Sequence, residues 1–139
     1  ERFIYPYMEQ SSYSTIDFVK RAIVYFGYAP DEIQTDNGAE FTYLSRTKRT
    51  HPFDIFCNEY HIKHNLIRPR TPWQNGKVER SHKIDGERFY SRNEFTSVED
   101  LKKKLKRYNT RYNNIAKKVL GFKSPNEIVE EYKLNCLSA

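Results

Sequence analysis

Apolar residues recur with a helical period in two stretches of the first sixty residues. The first stretch predicts a helix over residues 15–26, with Gly27 placed to end it; its apolar positions are Ile16, Val19, Ile23 and Phe26. A capping box over residues 14–17 is expected to begin this helix. The second stretch predicts a helix over residues 51–60, with apolar positions at Phe53, Phe56, Cys57 and Tyr60. Each helix is expected to bury one face.

Three short segments have the composition or the alternation of strands. Residues 2–8 are rich in aromatic side chains, and Pro6 places this predicted strand at the edge of a sheet. Residues 32–35 predict a short strand that runs into an Asp-Asn-Gly turn at 36–38. Residues 62–67 alternate apolar and polar side chains, as a half-buried strand does.

The second half of the chain predicts helices. Residues 75–90 favour a helix that is interrupted or kinked at Gly86. A capping box at Ser97 begins an amphipathic helix whose apolar face holds Leu101, Leu105, Tyr108 and Tyr112. Ser124-Pro125 begins a last helix through Tyr132.

The order of these elements predicts an α/β fold with a small sheet flanked by helices. In open α/β sheets, ligands bind at the carboxyl ends of the strands. Asp36 follows a predicted strand directly, so it is a candidate site residue.

Composition fits one soluble, intracellular domain. The 139 residues suffice for one ordinary core, to which 9 Phe and 11 Tyr add large buried areas. No stretch approaches the roughly 18 to 20 apolar residues of a membrane span. Cys57 and Cys136 lie far apart, and reduced thiols are expected.

The net charge of +6 is unevenly distributed. Residues 101–123 contain nine Lys and Arg and no acid, whereas residues 31–40 contain four acids and no base. Clustered cations favour a polyanionic partner such as nucleic acid. A solvated helix face that contacts nothing explains the same pattern.

Two acids are candidates for metal chemistry. Asp36 ends a strand, and Glu79 lies in the first turns of a helix after a Pro-rich loop. Magnesium prefers one or two carboxylates with water and substrate phosphates, so such a pair suits metal-assisted phosphate chemistry. Each acid also has a structural explanation, since Asp-Asn-Gly is a common turn and a Glu near a helix start favours the macrodipole.

The two candidate acids lie in the stretches IQTDNGAEF at residues 33–41 and TPWQNGKVER at residues 71–80. These stretches resemble the last two acidic motifs of the retroviral-integrase-like transposases, the DDE recombinases. The two blocks in this order are far more specific than a lone acid. Residues 121–127, GFKSPNE, also resemble the closing segment of the bacterial insertion-sequence branch. The resemblance covers nearly the whole chain.

The resemblance implies an RNase H-like α/β fold with a small mixed sheet. It also implies that the protein acts in DNA transposition. In this family three carboxylates hold two Mg²⁺ or Mn²⁺ ions; water first frees a 3′-hydroxyl, which then attacks target DNA. Asp36 matches the second acid and Glu79 the third. The first acid and its strand are expected before residue 1, because Glu1, Glu9 and Asp17 are poor substitutes. The 42 residues between Asp36 and Glu79 predict an insertion around residues 43–51.

Residues 1–139 are therefore expected to form an N-terminally truncated catalytic core, with 121–139 as its C-terminal helical tail. Its activity alone is expected to be weak or absent. The implied partners are transposon ends, target DNA and further copies of the chain, in the cytoplasm and nucleoid of a bacterium.

Six residues are DNA-contact candidates. Asn75 and Lys83 lie one turn to either side of Glu79 on one helix face, and the others are Lys77, Arg80, Arg68 and Arg70. Solvent-facing charges are the alternative for these side chains. Trp73 is expected either to stack on a base or to cover the sheet.

Cys57, His61 and His64 have spacing that suggests zinc, but a fourth ligand is missing and Cys57 fits the apolar stripe. Two further functions stay open beside the transposase core. One is a non-catalytic DNA-binding or assembly fragment, and the other is a purely hydrolytic RNase H-like nuclease.

Overall fold

A computed structural model describes residues 1–43, 47–67, 71 and 76–137. In chain order these residues form α1 (Ser12–Phe26), β1 (Glu32–Thr35), α2 (Pro52–Glu59), β2 (Lys63–Leu66), α3 (Gly76–Arg88), α4 (Val98–Asn114) and α5 (Pro125–Leu137). The chain divides into two compact units. The sheet unit is Tyr7–Arg92, and the tail unit combines Glu1–Pro6 with Asn93–Ala139. The predicted division, with residues 121–139 as a tail, stays a prediction.

In the sheet unit, α1 confirms the predicted first helix but begins earlier. Its N-cap is Ser11, whose side chain accepts a hydrogen bond from the Ser14 amide at 3.1 Å. The predicted capping box at residues 14–17 was therefore wrong. Gly27 ends the helix with φ 75°, a left-handed conformation that glycine adopts without strain.

Asp17 binds side chains instead of capping the helix. Tyr7 Oη donates to Asp17 Oδ2 at 2.5 Å, and Arg21 Nε donates to the same oxygen at 2.6 Å. The hydrogen bond from Tyr7, and then that from Arg21, holds the pKa of Asp17 below its usual value. The carboxylate therefore ties α1 to the residues that precede it.

The described sheet consists of β1 and β2, which run parallel with Glu32 opposite Lys63 and Thr35 opposite Leu66. The predicted strands at 32–35 and 62–67 are confirmed. Parallel neighbours need a crossover connection, and α2 lies within it. The sequence suggested a mixed sheet, whereas the two described strands are parallel.

The core of the sheet unit lies between the helices and β2. Its buried apolar members are Val19, Phe53, Phe56, Cys57 and Ile62. Phe53 is fully buried, and its ring packs against Phe41 with centroids 5.6 Å apart. The His51 ring caps α2 by accepting a hydrogen bond from the Phe53 amide at 3.1 Å. The placement of Cys57 in the core is confirmed.

Helix α3 is continuous through Gly86, so the predicted interruption there was wrong. The regular helix ends at Arg88 and a single 3-10 turn follows at Tyr90–Arg92. Asp85 and Phe89 are buried although the helix as a whole is polar. Among the residues the structure describes, no helix is long and apolar enough to cross a membrane.

Residues 2–8, of which 2–6 belong to the tail unit, do not form the predicted strand. Instead, two asparagines of α4 pair with the extended backbone. Asn113 accepts from the Arg2 amide and donates to the Arg2 carbonyl, both at 2.7 Å. Asn109 likewise accepts from the Ile4 amide at 3.0 Å and donates to the Ile4 carbonyl at 2.9 Å.

This pairing is possible because the rise of one helical turn matches the length of two residues of extended chain. Four residues of helix rise about 6 Å, and two residues of extended chain span about 6.6 Å. Asn109 and Asn113, which are both buried, therefore meet alternate residues of the extended chain. The helix side chains take the place of a neighbouring strand.

Side-chain caps begin both tail helices, as predicted. The Ser97 hydroxyl accepts from the Asp100 amide at 3.0 Å. Before α5, Ser124 and Glu127 form a reciprocal capping box, and the hydrogen bond from the Ser124 amide lowers the pKa of Glu127. Helix α5 extends past Tyr132 to Leu137.

We expect only one of the two thiols to react in the folded protein. Cys57 is buried, and burial raises the pKa of its thiol to about 11, so about one molecule in a thousand carries the thiolate at pH 8. Cys136 is exposed. Titration with a disulfide reagent should count one fast thiol in buffer and two in denaturant. Two fast thiols in buffer would contradict the packing of Cys57.

We expect Asn109→Ala to lower the free energy of unfolding by about 2 kcal/mol, because it leaves the Ile4 amide and carbonyl without their partner. Urea unfolding measures this loss, and hydrogen exchange should show lost protection at the Ile4 amide. Asn114→Ala is the control, because it removes exposed hydrogen bonds of the same helix, to the Thr110 carbonyl and from Asn126, without touching the extended chain. Equal effects of the two substitutions would contradict the pairing.

We expect Tyr7→Phe to destabilise the protein by about 1 kcal/mol near neutral pH, and less in acid. Because the folded pKa of Asp17 is depressed, its contribution is complete above the unfolded pKa of about 4 and is lost as pH falls through the lower folded value. Urea unfolding at pH 6, 4 and 2.5 measures the difference from the unsubstituted chain. Tyr13→Phe, at an exposed position of α1, is the control. A difference independent of pH would refute the role of Asp17.

Candidate active site

Asp36 is the first residue after β1, so it lies at the carboxyl edge of the parallel pair. Its side chain is exposed, and Oδ1 accepts a hydrogen bond from the Gly38 amide at 2.9 Å. This Asx-type turn reverses the chain directly after the strand. The geometry leaves the carboxylate at the surface while one oxygen is held by the backbone.

Two hydrogen bonds fasten the ends of the strands to each other. The Ile67 amide donates to the Thr35 carbonyl at 2.9 Å, which continues the ladder by one residue. Asn37 Nδ2 then donates to the Ile67 carbonyl, also at 2.9 Å. The segment that leaves β2 toward α3 therefore starts beside Asp36. The sequence indicated Asn37 as a turn residue only, because its partner lies thirty positions away.

A polar chain behind the turn holds the backbone of Asp36. Thr35 Oγ1 donates to the Asp36 carbonyl at 3.0 Å and lies 2.8 Å from His64 Nε2. His64 Nδ1 in turn lies 2.6 Å from Asp54 Oδ1, and the His64 side chain is only 6% exposed. Both ring nitrogens of His64 are thus occupied. The sequence suggested His64 only as a rejected zinc ligand, and its position opposite Ile33 in the register is what brings it under Thr35.

Glu40 is a second carboxylate at the turn, and the sequence did not single it out. A Cβ at Gly38 would lie 2.5 Å from Glu40 Oε2, so the bare glycine lets the Glu40 side chain fold over the turn. The Gln10 amide binds the other Glu40 oxygen. Gly38 therefore supports the placement of this acid.

Glu79 lies in the first turn of α3 and is exposed. Lys77 and Arg80 beside it are exposed as well, and Lys83 Nζ lies 4.0 Å from Glu87 Oε1 one turn later. The other DNA-contact candidates, Arg68, Arg70 and Asn75, lie outside the described residues, as does Trp73.

Exposed carboxylates such as Asp36 and Glu79 supply the hard oxygen donors that Mg²⁺ and Mn²⁺ prefer, so their chemistry fits such an ion. Over residues 1–43, 47–67, 71 and 76–137, no three His, Cys, Asp or Glu side chains group as a metal site would require. The structure therefore shows where each acid lies in the chain: Asp36 directly after β1, and Glu79 in the first turn of α3.

Comparison with known proteins identifies the family. Two family profiles, both described as "Integrase core domain", match residues 1–72 and 60–116. The "Putative integrase ORF3" of Spiroplasma virus SpV1-C74 is 33% identical over 132 residues, which cover 87% of this chain and 36% of that protein.

A solved structure is similar in fold. It is a chain of the cryo-EM structure of the simian T-cell lymphotropic virus intasome in complex with PP2A regulatory subunit B56 gamma. The TM-score is 0.55 and the identity 25%, over 71% of this chain and 34% of that one. The present chain thus spans about a third of the length of the proteins it matches. The RNase H-like α/β fold is confirmed, and the chain belongs to the integrase core domain family.

Proposed function

We propose that the chain is part of the catalytic core of a DDE polynucleotidyl transferase that cuts and joins DNA. The observation that supports this most is the position of Asp36, exposed at the carboxyl end of β1 in a turn that its own side chain closes. Ligands of open α/β sheets bind at this edge. Membership of the integrase core family adds the expectation of a DNA substrate.

Asp36 and Glu79 are the residues proposed to hold divalent metal, as the second and third acids of the family's triad. Ions bound by such carboxylates activate the attacking oxygen and stabilise the leaving oxygen of an in-line displacement at phosphorus. Mg²⁺ or Mn²⁺ is the expected cofactor.

The surroundings of Asp36 support a site that is held rigid before substrate arrives. The Asn37 bond to Ile67 fixes the turn against the end of β2, and the Thr35 hydroxyl fixes the Asp36 carbonyl from the other side. With its backbone held, the carboxylate can change ligands by side-chain rotation alone. This is the preorganisation that metal and phosphate chemistry requires.

Transposon ends, target DNA and a homo-oligomer are the proposed partners. Lys77, Arg80 and Lys83 are exposed on the helix that holds Glu79, which suits contacts with the phosphates on either side of a reacting bond. Arg68, Arg70 and Asn75 are proposed for the same contacts. Because the proposed substrate is DNA, we also propose localisation at bacterial DNA.

We expect Asp36→Asn and Glu79→Gln each to weaken Mn²⁺ binding at least tenfold, because each removes a charged oxygen ligand. Electron paramagnetic resonance of free Mn²⁺ measures the affinity. Asp31→Asn, at the opposite end of β1, and Glu59→Gln, exposed at the end of α2, are the matched controls. If all four substitutions have equal effects, Asp36 and Glu79 serve only the turn and the helix start.

The same two substitutions should abolish catalysis. We expect Mn²⁺-dependent cleavage and joining of a labelled DNA duplex by a chain extended upstream to include a further acid, and weak or no product from residues 1–139 alone. Cleavage without joined product would favour the hydrolytic nuclease. DNA binding with no product under any divalent metal would favour the non-catalytic DNA-binding fragment.

A further inference from the structure

Helix α4 has a row of cations along one exposed face. Its members, spaced i, i+3, i+4 and i+8, are Lys103, Lys106, Arg107 and Arg111, and we name them the α4 stripe. Thr110 lies between the last two, and all five side chains are exposed around one shallow depression. The opposite face, which holds Leu105, Asn109 and Asn113, is buried.

The stripe differs from four other cations between residues 101 and 123, because those four have partners within the tail unit. Lys104 Nζ lies 2.7 Å from Asp100 Oδ2, Lys123 Nζ lies 2.6 Å from Glu131 Oε1, and Lys117 Nζ lies 3.6 Å from the centre of the Tyr112 ring. Lys102 lies over the Tyr5 ring at 5.8 Å.

The four cations of the stripe make no ion pair within the described ranges of the chain. The sequence has no acid between Leu101 and Asn126, so Lys106, Arg107 and Arg111 have none within one helical turn, and Glu99 is the acid one turn before Lys103.

Like charges at i and i+4 destabilise a helix, and the stripe contains two such pairs, Lys103 with Arg107 and Arg107 with Arg111. An anion along the helix relieves this repulsion. The stripe extends over nine residues, whose eight steps rise about 12 Å along the helix axis. Phosphates of one DNA strand follow each other about every 3.4 Å along the duplex, so about four of them span the same length.

We propose that the α4 stripe binds the phosphate backbone of double-stranded DNA. The stripe presents no apolar side chain, whereas the buried core of an interface between proteins is apolar and depleted in charged residues. An acidic protein segment is therefore the less favoured occupant. The choice of DNA as the polyanion rests on the proposed function, but the stripe shares no residue with the proposed site at Asp36 and Glu79.

The test compares DNA binding by two charge-matched variants of the 139-residue chain. The stripe variant changes Lys103, Lys106, Arg107 and Arg111 to Gln. The control variant removes the same number of charges from exposed positions of the sheet unit, by changing Lys20, Lys48, Arg49 and Lys63 to Gln. Fluorescence anisotropy of labelled duplexes of two unrelated sequences, from 50 to 200 mM salt, gives the affinity and its salt dependence.

Four phosphate contacts contribute about 3.6 to the slope of log K against log salt, which is about 150-fold over this fourfold range. We expect the stripe variant to lose most of this slope on both duplexes, and the control variant to keep it. Arg107→Gln alone should lower the slope by about 0.9, and Arg107→Lys should restore it. Thermal unfolding should show the stripe variant at least as stable as the unsubstituted chain, since repulsion has been removed.

Equal slopes for the stripe and control variants would overturn the proposal. Binding of an acidic polypeptide, such as poly-glutamate, that is lost in the stripe variant while duplex binding is unchanged would overturn it in favour of a protein partner. If the stripe contributes to duplex binding but Asp36 and Glu79 do not contribute to Mn²⁺ binding, only the proposed catalytic site is refuted. If Asp36 and Glu79 contribute to Mn²⁺ binding but the stripe does not contribute to duplex binding, only the proposal for the stripe is refuted.

Discussion

The burial of Phe53 is the interaction on which the sheet unit depends. Its ring meets Phe41 after β1, Phe56 on its own helix and His64 on β2, with ring centroids 4.8 to 6.3 Å apart. One side chain therefore joins three successive parts of the chain. Parallel strands cannot be linked by a tight turn, so their register must be held by the crossover that packs on them. Phe53 is the centre of that packing, and large-to-small changes there leave a cavity worth several kcal/mol.

The geometry of the candidate site follows from this packing. The Phe53 ring meets the edge of His64, and α2 also provides Asp54, so the helix fixes the histidine by an apolar and a polar contact. His64 then fixes Thr35, and Thr35 the Asp36 carbonyl. A continuous chain of contacts thus runs from Phe53 in the core through His64 and Thr35 to Asp36. Weakening that core would loosen Asp36 without touching its side chain.

Elements that depend on a local hydrophobic period were predicted correctly from the sequence. Contacts that depend on a partner far away in the chain were not. The four predicted elements of the sheet unit before α3 were found because their apolar spacing is local. Residues 2–8 have the composition of a strand, yet alternation does not reveal that Asn109 and Asn113 will satisfy that backbone. The family motifs pointed to Asp36, and the structure places it at a strand end. The clamping role of Asn37 depends on Ile67, which no local pattern connects to it.

Charge illustrates the same limit in the tail unit. The run of nine cations between residues 101 and 123 looks uniform in the sequence, but the folded structure divides it by partner. Cations that face Asp100 or an aromatic ring become part of the fold, because a partner within the unit neutralises or covers them. The cations of the α4 stripe make no ion pair in the part of the chain that the structure describes, and their repulsion persists in the folded state. A net charge therefore says little about binding until the structure separates the cations that stabilise the fold from those that remain available to a ligand.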